Sequence, residues 1–282
     1  MNNNFVFFGT SAFSVIVLET LEKEGFVPTC VITMPDRPKG RGLVVTPSPV
    51  KLWAQSKNIP VLQPETLDPS FVSNLQPPTS HFQLFIVASY GNIIPKAILD
   101  IPPFGSLNVH PSLLPKLRGA TPIQSAVLEG LEETGVTIML MDEKMDHGPI
   151  VAQEKSPLTG SESAPELEEK LAIQGGKLLA KTVPLWLEKK IKAIPQNDTE
   201  ATFTKKFSKE DGLIDLTGNS QQNWRKIRAF TDTIGTYFFA EKSGQKIRVR
   251  IKKASFSNGA LQIERVIPES GKEMNYKDFD KI

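Results

Sequence analysis

Asn108 and His110 stand two residues apart in SLNVHPSLLPKLRGATP, at the end of an apolar run and just before a proline-studded loop. In extended backbone, side chains two apart point to the same side, so a carboxamide and an imidazole would face one space. A neutral donor beside an imidazole suits holding an oxygen that turns negative during acyl transfer, where losing one such donor costs about 10²–10³ in rate. The plainer alternative is a strand-end histidine hydrogen-bonded to backbone. Downstream, MDEKMDHGPIV offers Asp142 and Asp146 ahead of a Gly-Pro turn. A carboxylate there can pair with His110, favour its protonated form and take up a proton, directly or through water. Equally, an Asp in such a turn can serve its own backbone. Asp142, Asp146 and His147 do not have the spacing of a structural or catalytic metal cage.

Two further clusters carry charge rather than chemistry. PDRPKGRG concentrates Arg37, Lys39 and Arg41 in a Pro/Gly-rich loop, a mobile cationic finger able to reach phosphates or simply a solvated loop. KIRVRIKK alternates strictly, with Ile247, Val249 and Ile251 on one face of a strand and Arg248, Arg250 and Lys252 on the other. That second face could hold an RNA backbone, and it is also what the outer face of any half-buried strand looks like.

The elements that must position these residues read as an α/β chain. Short apolar runs at Phe5–Phe8, Cys30–Thr33, Val61-Leu62, Leu84–Ala88, Leu107–His110 and Val136–Met141 are separated by helical stretches, the pattern of buried parallel strands. Thr121-Pro122 starts a helix with an N-cap and a proline at the first position, and Gly130 ends it. Residues 164–190 form a long helical pattern, with interruptions expected at Gly175-Gly176 and Pro184. The stretch 190–205 is polar and weakly periodic, and is expected to be a linker. The fold class is therefore a Rossmann-like, mostly parallel sheet with helices on both faces over 1–189. A smaller β-rich domain over 206–282 follows it.

Composition narrows the classes. The chain has 282 residues, 39% hydrophobic and 23% charged, and a formal net charge of +2. No apolar run is long enough for a membrane span. A single cysteine, Cys30, excludes a disulfide framework and a Cys-based zinc cage and reads as a small strand hydrophobe. With no basic leader ahead of NFVFFGT, a reducing cytoplasm is expected. Residues 200–282 carry 16 Lys and Arg against 11 Asp and Glu, and residues 1–199 carry 17 against 20. The tail is thus the half that anions would favour. After the first strand, Gly9-Thr10-Ser11 supplies only one glycine of a dinucleotide fingerprint, which argues against nicotinamide binding. His81 and His147 are expected to be surface residues.

LNVHPSLLPKLRGATPIQSA followed by ETGVTIMLMDEKMDHGPIV resembles the core of the folate-dependent formyltransferases. GTSAF and MPDRPKGRGLVVTPSPVK ahead of them, and KKFSKEDGLIDL, WRKIRAF and PESGKEMNYKDF after them, are similar to the methionyl-tRNA branch of that family. The resemblance implies that Asn108, His110 and Asp146 are catalytic, and that Ser112, Leu113, Leu114 and Pro115 border a pocket for 10-formyltetrahydrofolate. A rigid apolar loop suits a flat pterin. It further implies that Arg37, Lys39 and Arg41 reach the acceptor end of initiator methionyl-tRNA. The tail would be a shortened, OB-like β-barrel using Arg248, Arg250 and Lys252 on tRNA. No metal is required, and a monomer without a membrane partner is expected. Rival readings are a formyltransferase for a small amine, such as an aminosugar nucleotide or glycinamide ribonucleotide, and a non-catalytic RNA-binding protein.

Overall fold

Five consecutive buried residues in each of Phe5–Gly9, Leu84–Ala88 and Ser106–His110 leave those strands no face for solvent, so they sit inside a sheet covered on both sides. The computed structural model describes residues 4–39, 42–68, 71, 82–242 and 244–279. Its strands are β1 (Phe5–Gly9), β2 (Cys30–Ile32), β3 (Arg37–Lys39), β4 (Val44–Thr46), β5 (Val61–Leu62), β6 (Leu84–Ala88), β7 (Ser106–His110), β8 (Glu133–Leu140) and β9 (Ile150–Pro157). They are followed by β10 (Thr236–Lys242), β11 (Gln245–Ser257), β12 (Ala260–Pro268) and β13 (Met274–Asn275). Helices are α1 (Ala12–Lys23), α2 (Pro49–Ser56), α3 (Lys96–Leu99), α4 (Pro122–Glu129), α5 (Ala164–Leu187), α6 (Ser220–Phe230) and α7 (Tyr276–Phe279).

The main sheet has seven strands in the order β5-β2-β1-β6-β7-β8-β9. Pairing is parallel from β5 to β7, and β8 runs antiparallel to β7, with His110 opposite Thr137. The apolar run at Val136–Met141 was expected to be another parallel strand. Instead the chain returns from α4 in the opposite sense. At the switch point between β1 and β6, the Thr10 hydroxyl donates to the Tyr90 carbonyl at 2.6 Å and the Thr10 N–H to the Ser89 carbonyl at 3.1 Å. Ser14 closes the same turn through Oγ on the Ala88 carbonyl at 2.6 Å.

Helix α5 runs unbroken through Gly175 and Gly176. Both glycines are contact points, because a Cβ on Gly175 would press into Val109 and one on Gly176 into Thr20. Losing about 1 kcal/mol of helix propensity at each lets the helix lie close to its neighbours. Pro184 falls in the last turn. Helix α4 starts and ends where expected, but the Thr121 hydroxyl donates to the Lys205 carbonyl at 2.7 Å instead of capping the helix.

Compactness divides the chain into two units whose segments interleave along the sequence. One comprises 1–118, 134–156 and 168–203, the other 119–133, 157–167 and 204–282. Ile194 exchanges backbone hydrogen bonds with Ile150 at 2.8 Å, and Arg118 bridges to Phe203. The second unit contains a four-stranded antiparallel sheet in the order β10-β11-β12-β13. Leu213 is bridged to Tyr237 of β10, and among the described residues no pairing closes the sheet into a barrel. Phe238, Val249, Ile251, Val266 and Phe279 form its core, as the alternation in KIRVRIKK requires. No helix among the described residues is long and apolar enough to cross a membrane.

Gly130 closes α4 in the left-handed region at φ 66°, and Arg225 Nη1 donates to the Glu129 carbonyl beside it at 3.1 Å. A Cβ on Gly130 would collide with that guanidinium. Gly130→Ala therefore combines about 1–2 kcal/mol of backbone strain with loss of the Arg225 contact at the helix C-terminus. The expected outcome is a lowered urea midpoint with little change in helix content, measured by circular dichroism.

Candidate active site

β7 ends at His110 in the interior of the sheet, with β6 and β8 on either side. Asn108 and His110 share one face of the strand and are 9% and 4% exposed. The Asn108 side chain makes no hydrogen bond among the described residues. His110 has a neighbour at each ring nitrogen. Nε2 lies 3.2 Å from the Leu117 carbonyl, and Nδ1 lies 3.6 Å from Asp146 Oδ1. A carbonyl only accepts, so Nε2 carries the hydrogen in the first contact. The second is an ion-pair distance, longer than a hydrogen bond.

The loop after β7 is fixed by one hydroxyl. Thr137 Oγ1, buried on β8, donates to the Ser112 carbonyl at 2.7 Å and accepts from the Leu114 N–H at 3.2 Å and Gln153 Nε2 at 2.8 Å. That uses its one hydrogen and both lone pairs. Gln153 Nε2 also reaches the Leu114 carbonyl at 2.9 Å, and Ser112 Oγ donates to the Lys116 carbonyl at 2.7 Å. Ser112 and Leu114 are buried and shape the loop from within, while Leu113 and Pro115, joined to it through the cis Leu114–Pro115 peptide, are half-buried.

Asp146 sits in the turn between β8 and β9 with a left-handed backbone, φ 50°. Gly148 is required there, because a Cβ would strike the Leu140 carbonyl. Asp142 does serve its own turn, accepting from the Lys144 N–H at 2.9 Å. Its other oxygen lies 2.6 Å from His147 Nδ1, and His147 Nε2 lies 3.4 Å from Asp198 Oδ2. His147, expected at the surface, is thus half-buried between two carboxylates. Asp142, Asp146 and His147 do not converge on one point. Among the described residues no group of three or more His, Cys, Asp or Glu side chains is arranged to hold a metal ion.

Sequence reasoning missed Arg118 and Gln196. Arg118 is 3% exposed and donates to Gln196 Oε1 from Nε at 3.0 Å and from Nη2 at 2.8 Å. Gln196 Nε2 donates to the carbonyls of Asp146 at 2.9 Å and Gly148 at 2.7 Å. Nothing in a polar stretch marks one glutamine as buried, and 78 residues separate the two partners.

The charged clusters lie elsewhere. Arg37 and Lys39 are on β3, which pairs with β4 as a two-stranded ribbon, and Arg41 lies outside the described residues, as does His81. Arg37 meets Glu65 at 3.3 Å, both side chains well exposed, a pair of the kind that contributes about 0–1 kcal/mol. The foot of the ribbon is Asp36, which accepts from Lys51 Nζ at 2.6 Å and Gln63 Nε2 at 2.7 Å. The Lys51 ammonium, then the Gln63 amide, hold its carboxyl below the ordinary value. Leu43, Val44 and Val45 are exposed on the ribbon. In the other unit, Arg248, Arg250 and Lys252 are exposed on β11, with the Arg248 guanidinium 5.5 Å from the centre of the Tyr237 ring.

Thr137→Val keeps the shape and removes the hydroxyl, leaving the Leu114 N–H and Ser112 carbonyl short of a partner at a cost of about 1–3 kcal/mol. The expected result is a lowered melting temperature. Any activity lost with it should appear as a raised KM rather than a lowered kcat.

Residues 3–183 match the family profile described as formyl transferase. The methionyl-tRNA formyltransferase of Chloroflexus aurantiacus is 42% identical over 270 residues, 94% of this chain and 85% of that protein. The protein of the same name from Dictyoglomus turgidum is 38% identical over 302 residues, covering 97% and 94%. Two solved structures share the fold. The methionyl-tRNA formyltransferase from Clostridium thermocellum has a TM-score of 0.59 at 18% identity, covering 96% of this chain and 99% of that one. An N-formyltransferase from Helicobacter canadensis, in complex with folinic acid and dTDP-3-aminofucose, has a TM-score of 0.62 at 18% identity, with 94% of each chain covered.

Proposed function

The chain belongs to the formyl transferase family, and from that premise we propose that it transfers the formyl group of 10-formyltetrahydrofolate to the α-amine of initiator methionyl-tRNA, as a cytoplasmic monomer. The observation that carries the reading is the approach of Asp146 Oδ1 to within 3.6 Å of His110 Nδ1 at the carboxyl end of β7, where Asn108 lies on the same face of the strand as His110. Similarity over nearly the whole chain to proteins named for methionyl-tRNA favours that acceptor over a small amine, while the shared fold alone does not distinguish them.

The roles follow from the contacts. 10-Formyltetrahydrofolate supplies the formyl carbon and leaves as tetrahydrofolate with a proton regained on N10. Asn108 donates its amide N–H to the formyl oxygen as that oxygen becomes negative. With Nε2 committed to Leu117, His110 presents Nδ1 to the reacting groups. In the neutral ring Nδ1 accepts the proton released by the attacking amine. Once protonated it can also donate to the oxyanion. Asp146, 3.6 Å away, stabilises the imidazolium and relays the proton towards the leaving nitrogen. No covalent enzyme intermediate is needed. Ser112 and Leu114, buried, would keep the loop in shape, and the half-buried Leu113 and Pro115 would meet the flat pterin.

The tRNA would be held by Arg37 and Lys39 on the ribbon, by Arg41, which lies outside the described residues, and by Arg248, Arg250 and Lys252 on β11. The division of labour proposed here is catalytic residues within 1–189 and tRNA backbone on 206–282.

The test is formyl incorporation from 10-formyltetrahydrofolate into methionyl-tRNA, with free methionine and an aminosugar nucleotide as competing acceptors. Transfer to the tRNA alone is expected, and Asn108→Ala should lower kcat by about 10²–10³. Transfer to the sugar alone would remove the acceptor from this reading, and near-normal turnover by Asn108→Ala would remove the oxyanion role.

Asp36→Ala frees Lys51 and Gln63 and unfastens the ribbon. Its expected effect is a KM for methionyl-tRNA raised several-fold, with kcat and the KM for the folate little changed. Steady-state kinetics in both substrates read this directly.

A further inference from the structure

Gln196 lies in the segment whose polarity suggests a linker, yet its side chain sits between the two partners of His110. Its orientation is fixed by chemistry. A guanidinium can only donate and a carbonyl can only accept, so Oε1 must face Arg118 and Nε2 must face the loop carbonyls. Each hydrogen of Nε2 is then used, one on Asp146 and one on Gly148. Arg118 is held in turn by its own N–H on the Thr202 carbonyl at 2.9 Å and by Nη2 on Asp198 Oδ1 at 2.8 Å. It directly follows Leu117, whose carbonyl faces His110 Nε2.

These contacts close into a ring. From His110 it passes through Asp146 to Gln196, then to Arg118, and along the peptide to Leu117 and back to His110. A displacement at any member changes the separation between the imidazole and at least one of its partners.

We propose that Gln196, oriented by the buried Arg118, is a positioning residue for the His110–Asp146 pair. It touches no substrate. It grips the backbone on both sides of His147 and so keeps Asp146 in its left-handed conformation, with the carboxylate opposite Nδ1. The inference rests on the roles given above to His110 and Asp146.

Gln196→Glu tests it. The substitution keeps the size and gives Arg118 a charged partner, but it sets an acceptor against two carbonyls that need a donor. A catalytic group misplaced by about 1 Å can cost 10²-fold. The expected result is a kcat lowered about 10–100-fold with both KM values within about twofold of wild type. The titration of the His110 imidazole, followed by NMR, should move as well. A kcat within about twofold of wild type, or an unmoved His110 titration, overturns the proposal. So does a loss confined to KM. If Gln196→Glu does not fold, Gln196→Met, which also lacks the donor, is read by the same three measurements.

Asp146→Asn is measured alongside. If it is inactive while Gln196→Glu is normal, the positioning inference alone fails. If Asp146→Asn is fully active, the catalytic reading beneath it fails first.

Discussion

His110 has a partner facing each ring nitrogen, and both partners come from backbone bent in the unfavourable sense. Leu117 has φ 59° and Asp146 has φ 50°. For residues with a side chain, that region costs about 1–2 kcal/mol each. Strain of this kind persists only where neighbouring contacts over-determine it. At Leu117 they are the N–H to Thr202 Oγ1 at 2.9 Å and the adjacent Arg118 N–H to the Thr202 carbonyl. At Asp146 they are the Gln196 amide and the close approach that Gly148 permits. The separation of donor and acceptor around one imidazole is therefore set by what holds two loops, and the strand supplies only the origin from which it is measured.

That origin is stiff because β7 is an inner strand. Parallel pairing to β6 and antiparallel pairing to β8 fix its register from both sides, and Val109, pointing away from Asn108 and His110, packs against Gly175 of α5. Burying a Phe, Val or Leu fully contributes about 1.5–3 kcal/mol. The wholly buried Phe5, Phe7, Phe8 and Phe85 make the neighbouring strands the least deformable part of the unit. Thr137 then carries this rigidity outward, because the residue opposite His110 in the ladder is also the one whose hydroxyl ties down the loop beyond it. Position in the sheet and shape of the loop are thus two consequences of one strand pair.

What was legible in the sequence follows from the range of the interactions involved. Strands buried on both faces announce themselves as unbroken apolar runs, so β1, β2, β5, β6 and β7 lie within a residue or so of where Phe5–Phe8 and its counterparts suggest. The alternation of KIRVRIKK similarly gives the buried face of β11. Gly175 and Gly176 misled because propensity is local, whereas their reason for being glycine is a neighbour more than 60 residues away. The direction of β8 was illegible because an apolar run has no polarity of its own. Arg118 and Gln196 were illegible for the strongest reason. A buried charge looks like a surface charge until its partners are known, and these are brought together only by the folded chain.

The two kinds of residue assigned to this reaction obey different physics. Around His110 the groups are buried and few, each contact has one geometry, and their energies depend on distance in a medium that screens little. Arg37, Arg248, Arg250 and Lys252 are exposed, Arg37 beside Glu65 and Arg248 over the Tyr237 ring, so solvent and salt screen each one. A polyanion bound by such a set is held by the number of cations, and each contributes by releasing a counterion rather than by occupying one position. Substitutions on such a surface should therefore give graded changes in affinity. The ring of contacts through Gln196 has no such tolerance, because a donor exchanged for an acceptor there reverses an interaction instead of weakening it.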